Sequence, residues 1–348
     1  MTSKTLIFLV LIMMLFACSK TPSPTSLETL FSKKPSIDID CEPEESSLFF
    51  GQPVEMVIID SLLIVKDAYA NNYFSVINLQ NLKLIKRFGV HGNGPDEIMY
   101  PSNLTTNHEK VLGFTTKNPT TYLELNIYHL INSTAPTFQN TISVEDEIQW
   151  PFDLIFFGGI GNYIAKGMFT NGKYGIINKD GHIEKTFGTV PEKYENTIEN
   201  RLLNSGYQGY IQPHPKGDKI VHLSAVCDLI DIIDADLNIQ RFQTYDPELK
   251  EKMGMVGSSS SSPYGFTSLG VTEEYIFGLY SGRNFKDHGG YARFGNKVYV
   301  LDWKLKPICA LNFETEVASI AVDVNTNKLY YLTLIEDEIK LCSWEITL

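Results

Sequence analysis

The feature that most constrains this chain is a phrase that recurs along it. Residues 73–89 (YFSVINLQNLKLIKRFG), 173–188 (KYGIINKDGHIEKTFG), 228–245 (DLIDIIDADLNIQRFQTY) and 297–313 (KVYVLDWKLKPICALNF) share one plan. Each reads as a strand ending in Asn or Asp, a polar turn, and a second strand. Two less regular copies lie at 122–144 and 329–346. The turn Asp180-Gly181, flanked by alternating apolar residues, marks one copy as a β-hairpin. A repeat of this kind means that a unit too small to bury its own apolar face is stacked against copies of itself. The copies start near 73, 122, 173, 228, 297 and 329, at intervals of 49, 51, 55, 69 and 32 residues. Four short strands with their turns occupy about 40–50 residues, which is one propeller blade. The chain is therefore expected to be all-β, a six-bladed β-propeller with four-stranded antiparallel blades. The longest interval holds an insertion over 246–263 with the run GSSSSSP, a flexible loop by composition. The one helical pattern is 193–204 (KYENTIENRLLN), stopped by Gly206. No strand–helix alternation is present, which excludes a doubly wound sheet.

The 348 residues exceed what a single core usually supports, and a ring of units accommodates that length. The ends must then meet, either through a strand at Ser36–Cys41 or through one that starts near Val54. Hydrophobic residues make up 43% and charged residues 20%, which excludes intrinsic disorder. Lys and Arg number 29 against 41 Asp and Glu, a net charge of −12. With no basic surplus to neutralise phosphates, nucleic acid is excluded as a partner.

Residues 1–17 form a signal peptide: Lys4 precedes an apolar run, Leu6–Ala17, too short to span a bilayer as a helix. The run ends in Leu15-Phe16-Ala17-Cys18, which resembles the bacterial lipobox, and that resemblance implies lipidation at Cys18. Residues 18–35 then serve as a lipidated, flexible tether, Pro/Ser/Thr-rich from Ser19 to Ser26, and 36–348 form the propeller. Ser19 is not the Asp that retains proteobacterial lipoproteins at the inner membrane. Lys20-Thr21-Pro22 lacks the acidic pair of surface-exported ones. The expected address is the outer membrane, on its periplasmic side. Four cysteines remain, enough for two bridges with three connectivities. Cys227, Cys309 and Cys342 sit within apolar strand-like runs, so they are read as buried thiols.

The segment Arg87-Phe88-Gly89 followed by His91-Gly92-Asn93-Gly94-Pro95-Asp96-Glu97 resembles the glycine-rich loop of TolB-like six-bladed propeller lipoproteins of Bacteroidetes, with Ile98 in place of an aromatic residue. Tyr275–Arg283 (YIFGLYSGR), Val298–Pro307 (VYVLDWKLKP) and Ile320–Tyr331 (IAVDVNTNKLYY) resemble that family's later blades, with Lys304-Leu305 replacing its usual Asp-Gly turn. The likeness spans roughly 50–346 and implies a fold more than a reaction, since few members have an established activity.

The glycine-rich loop is neither a Walker loop, because no Lys-Ser/Thr follows Gly94, nor a dinucleotide fingerprint, because no helix follows it. In a propeller it links the outer strand of one blade to the inner strand of the next. Asp96 and Glu97 then either staple turn amides or contact a ligand. The links 188–214 and 245–263 and the hairpin loop 281–296 are assigned to the same rim, where binding residues concentrate on a rigid scaffold. The candidate ligand-binding rim is His91, Asn93, Asp96, Glu97, Tyr210, His214, Arg283 and His288. No nucleophile elbow or H-E-x-x-H spacing occurs, so no catalytic residue and no cofactor are assigned. The expected function is a lipid-anchored binding module whose rim meets a protein, peptide or glycan. The alternative is a metal-dependent hydrolase or lyase, with one divalent ion held in the channel by Asp153, Asp228 and Asp323.

Overall fold

Asn and Asp close each recurrent hairpin because their side-chain oxygen substitutes for a missing backbone acceptor. Asn178 Oδ1 accepts from the amides of Asp180 and His182, both at 3.0 Å. Asp234 Oδ1 does the same for Asp236 (3.0 Å) and Asn238 (2.9 Å), and Asp302 Oδ1 for Lys304 (2.8 Å) and Lys306 (2.9 Å). The turn needs a left-handed residue third after the Asx. Gly181 supplies it at φ 85°, but Leu237 and Leu305 adopt it at 65° and 59°. Leu305 thus stands where the family resemblance expects glycine.

The computed structural model describes residues 26–44, 48–68, 70–92, 94, 97–106, 110–117, 120–133, 135–144, 150–189, 207–226, 228–244 and 263–348. The patterns at 193–204 and 246–262, the signal peptide, Cys18 and Cys227 lie outside the described residues. Blade one is Pro53–Ile59, Leu62–Asp67, Asn72–Asn78 and Lys83–His91, each antiparallel to its neighbour, with Glu97–Ile98 added parallel to the outer strand. Blade two is Ser102–Thr106, Val111–Thr116, Thr120–Asn126 and Phe138–Val144; blade three is Trp150–Phe157, Asn162–Met168, Tyr174–Ile177 and Ile183–Phe187. Blade four is Gly209–Pro213, Lys219–Ser224, Leu229–Asp234 and Ile239–Gln243. Phe266–Val271, Tyr275–Tyr280 and Gly295–Asp302 open blade five. Its outer strand and the inner strand of blade six are one continuous strand, Pro307–Asp323. Lys328–Ile335 and Glu338–Glu345 complete what the C-terminus contributes to blade six.

The outer edge of blade six comes from the other end of the chain. Ser36–Ile39 pairs parallel with Ala310–Phe313 at the edge of blade five. The chain then passes to blade six, where Pro43 bridges Cys342 and the Glu44 amide donates to Leu341 O at 2.8 Å. This explains the short interval of 32 residues: the sixth hairpin is the second and third strand of its blade, whereas the others are the third and fourth. Cys342 is not a free thiol as its apolar run suggested. It forms a disulfide with Cys41 across the closure, because ring closure brings together residues 301 apart. Cys309 is free and buried, and burial pushes its thiol up to about 11.

The tether also ends sooner than its composition suggests. Ser26 caps a short helix, Leu27–Phe31, by accepting from the Thr29 amide at 3.1 Å. Leu27 and Phe31 are buried against blades four and five, with Phe31 packed on Tyr299 at 4.6 Å between ring centroids. Leu27 N–H donates to Asp228 Oδ2 at 3.1 Å.

Apolar side chains fill the spaces between blades. Distinct clusters join blades one and two (Phe74, Phe114), two and three (Tyr122, Leu154), three and four (Phe157, Ile220), four and five (Leu223, Phe266) and five and six (Phe277, Ile320). A further cluster joins six to one through Leu332, Leu341, Met56 and Leu63. The circle is therefore closed by burial as well as by pairing. Among the described residues no helix is long and apolar enough to cross a membrane.

Candidate functional site

The two faces of the ring follow from strand order. Blade-to-blade links and second-to-third strand turns share one face, here the upper. First-to-second and third-to-fourth turns share the lower. The strands ending at His91, Phe187 and Gln243 therefore leave their blades on the upper face, where the loop 281–294 also lies.

Register breaks mark the upper start of inner strands in five blades, at Pro53/Glu55, Ser102/Thr105, Pro151/Asp153, Phe266/Ser268 and Val317/Ser319. Such bulges re-aim side chains. Those of blades one, two, three and five border a cavity of about 230 Å³ at the upper mouth of the channel. Two buried ion pairs flank it. Lys66 Nζ lies 2.6 Å from Glu55 Oε2 and donates to Pro101 O at 3.2 Å, while Glu55 Oε1 accepts from the Leu104 amide at 2.7 Å. Lys166 Nζ lies 2.7 Å from Asp153 Oδ2 and also donates to Gly209 O. Lys117 Nζ lies 3.9 Å from Asp153 and donates to Phe152 O, and Ser102 Oγ donates to Asp153. Burial alone would raise the Asp153 carboxyl, but Lys166, then Lys117, and the hydrogen bonds from Lys166 and Ser102 outweigh it and hold it at about 2. Across the mouth the Arg293 guanidinium lies over the Tyr264 ring, 5.4 Å from its centroid. Tyr210 lines the same cavity, and burial pushes its phenol up to about 12, so it remains an O–H donor.

Of the eight residues assigned to the rim from sequence, Tyr210 is the one among the described residues that lines this cavity. His91 stacks on Tyr73 at 3.7 Å at the outer edge of blade one. Glu97 Oε2 accepts from the Gly94 amide at 2.8 Å, the stapling role, while Asn93 and Asp96 lie outside the described residues. Arg283 pairs with Glu316, and His288 Nδ1 is 3.3 Å from Asn284 O. His214 is not on the upper rim. It follows the inner strand Gly209–Pro213 and so sits at the lower end, 2.7 Å from Asp218 Oδ1 and against Trp303. His222, on the next strand, is buried within blade four, its Nδ1 2.8 Å from Tyr174 OH.

The three aspartates do not converge. Asp153 is at the upper mouth. Asp228 accepts from Leu27 N–H and from Tyr280 OH at 2.7 Å, on the turn before the third strand of blade four. Asp323 caps the lower turn, accepting from the Asn325 amide at 2.9 Å and Thr326 Oγ1 at 2.7 Å. Among the described residues no group of three or more His, Cys, Asp or Glu is placed to hold a metal ion. The lower mouth opens into a cavity of about 590 Å³ with mainly apolar walls, including Met56, Phe156, Leu269 and Val322.

Sequence reasoning missed Lys66, Lys166, Asn103 and Arg293. A signal existed for the first two. Each is a lysine inside an apolar strand (LLIVKD, NYIAKGM) whose preceding strand carries an acid, Glu55 or Asp153, at the paired position.

With this ring and its mouths in place, relatives can be compared. Residues 30–325 match the family described as TolB-like 6-blade propeller-like. The chain belongs to that family. Among solved structures, this TolB-like propeller is similar to a protein of Bacteroides fragilis assigned as exported (TM-score 0.55, 10% identity, covering 90% of this chain and 99% of that one). It is also similar to a DUF4221 family member from Bacteroides vulgatus (TM-score 0.56, 10% identity, covering 88% and 97%). At that identity the likeness is one of fold. No curated protein matches the sequence.

Proposed function

We propose that this TolB-like propeller is a lipid-anchored binding module of the cell envelope, held through Cys18 on the periplasmic side of the outer membrane, that takes its ligand at the upper mouth of the channel. The observation that carries this is the convergence of five blades' upper ends on one cavity lined by charged and aromatic groups (Lys66, Lys166, Tyr210, Tyr264, Arg293). Loops on a closed, rigid ring are suited to binding, because little ordering cost is incurred when a ligand arrives. The lipobox-like sequence and the Cys41–Cys342 disulfide agree with an oxidising envelope compartment. The assignment of the Bacteroides fragilis neighbour as exported points the same way.

Hydrogen exchange on the full-length chain, with and without a small-molecule extract of the envelope, tests this. Protection is expected at 207–213, 264–268 and 291–295 and not at the lower turns 158–161 and 214–218. Protection confined to the lower turns would sink the assignment of the binding face.

A further inference from the structure

We propose that the upper mouth is built for one small oxyanion, the carboxylate or phosphate of a compact solute, with Arg293 as its principal contact; this deepens the binding-module reading and rests on it. The charge balance of the mouth is the first support. Four cations, Lys66, Lys117, Lys166 and Arg293, gather around two carboxylates, Glu55 and Asp153. The surplus is positive in a chain whose net charge is −12, so the mouth is a local attractor for anions on an acidic molecule. Both carboxylates are already engaged, Glu55 by Lys66 and the Leu104 amide, Asp153 by Lys166, Lys117 and Ser102. Neither is left over to receive a cationic ligand. Arg293, by contrast, has no carboxylate partner among the described residues and keeps its planar donor fork beside the Tyr264 ring.

The hydrogen-bond inventory leans the same way. Asn103 and Thr267 line the cavity, and the Asn103 amide nitrogen and the Thr267 hydroxyl are buried without a partner among the described residues. A buried amide N–H left unmade is costly, and such an atom calls for an explanation, a bound water, ion or ligand among them. Lys66 and Lys166 each carry three donors and spend two on the contacts given above. Tyr210 adds a phenol that stays protonated. The mouth is thus rich in donors and poor in free acceptors, the complement of an oxyanion. Its volume of about 230 Å³ equals roughly eight waters at ~30 Å³ each. That admits a solute the size of a sugar acid or an amino acid, flanked by Tyr210, Tyr264 and Phe266.

Calorimetric titration of the full-length chain in detergent, at constant ionic strength, with glucuronate, inorganic phosphate and glucose, decides the matter. The expected result is saturable uptake of one equivalent of glucuronate or phosphate and none of glucose, weakened at least about tenfold by Arg293→Gln and less by Arg293→Lys. Preference between the two anions identifies the head group. Arg293 is solvent-exposed, so its replacement is not expected to unfold the ring. Failure of both anions to bind, or equal binding by Arg293→Gln, overturns the inference. Uptake of glucose as tight as that of the anions overturns it too, but leaves the binding-module reading standing, since hydrogen exchange tests that separately.

Discussion

Asp231 shows how a single buried charge is made tolerable. It is fully buried on the third strand of blade four, yet Arg241 meets both its oxygens, at 2.6 and 2.9 Å, and Lys173 and Tyr174 OH reach Oδ2 at 2.8 and 2.6 Å. Tyr174 OH also faces His222 Nδ1, and the imidazole's other nitrogen is buried without a partner among the described residues. Burial, then the neighbouring Lys173 and Lys166, push the His222 imidazole well below its ordinary value, although Asp231 opposes them. The sign of the consequence is fixed. Below about pH 6.5 an unfolded histidine takes up a proton that the folded one refuses, so stability falls as pH falls. Asp153 adds to the loss at lower pH. Its contribution is present above about pH 4 and disappears as pH falls toward about 2. Thermal unfolding followed from pH 7 to 4 should therefore show a declining midpoint, and His222→Gln should flatten the limb that begins below about pH 6.5. Parallel curves for the two proteins would remove His222 from this account.

At the scale of elements, the recurrent hairpin explains which parts of the fold the sequence makes legible. An Asn or Asp that accepts from amides two and four residues later is a local device, so its spacing survives as a visible repeat even where the strands share no residues. Asp234→Ala should cost about 1–2 kcal/mol in urea unfolding, since two amides lose their acceptor. Asp236→Ala, which removes only an exposed carboxylate, should stay within about 0.5 kcal/mol. Equal losses would show that the repeat is compositional rather than structural. Leu237 and Leu305 take the left-handed position at a cost of about 1 kcal/mol. Each is half-buried against its blade's apolar cluster, which offsets that cost. The rim was legible for a similar reason, because strand order alone places links and turns on faces. What failed was the length of one strand. Gly209–Pro213 crosses from one face to the other in five residues, so Tyr210 and His214, about 13 Å apart along it, belong to opposite mouths. The site itself was not legible. Asn103 Oδ1 accepts from the Ile211 amide 108 residues away, and no spacing in the sequence announces such a meeting.

The whole molecule depends on joining its ends. Blade six takes three strands from the C-terminus and an edge from residues 41–44, pinned by Cys41–Cys342. The disulfide closes a loop of about the length of the ring, which in the chain-entropy picture restricts the unfolded state strongly. Cys41→Ser should lower unfolding free energy by about 2–5 kcal/mol, and reductant should lower the melting temperature of the wild type but not of the variant. A wild-type melting curve indifferent to reductant would exclude the bond.

The docking of Leu27 on Asp228 has a consequence for how the protein stands. Asp228 belongs to an upper-face turn, so the chain leaves the ring at the level of the donor-lined mouth. Ser26 is only eight positions after Cys18, a reach of at most about 28 Å. With the acyl anchor proposed at Cys18, so short a leash would draw that side of the disc toward the lipid, and a solute bound for the mouth would enter through the narrow slit between protein and bilayer. Size would then be screened by the leash before chemistry is screened by the pocket.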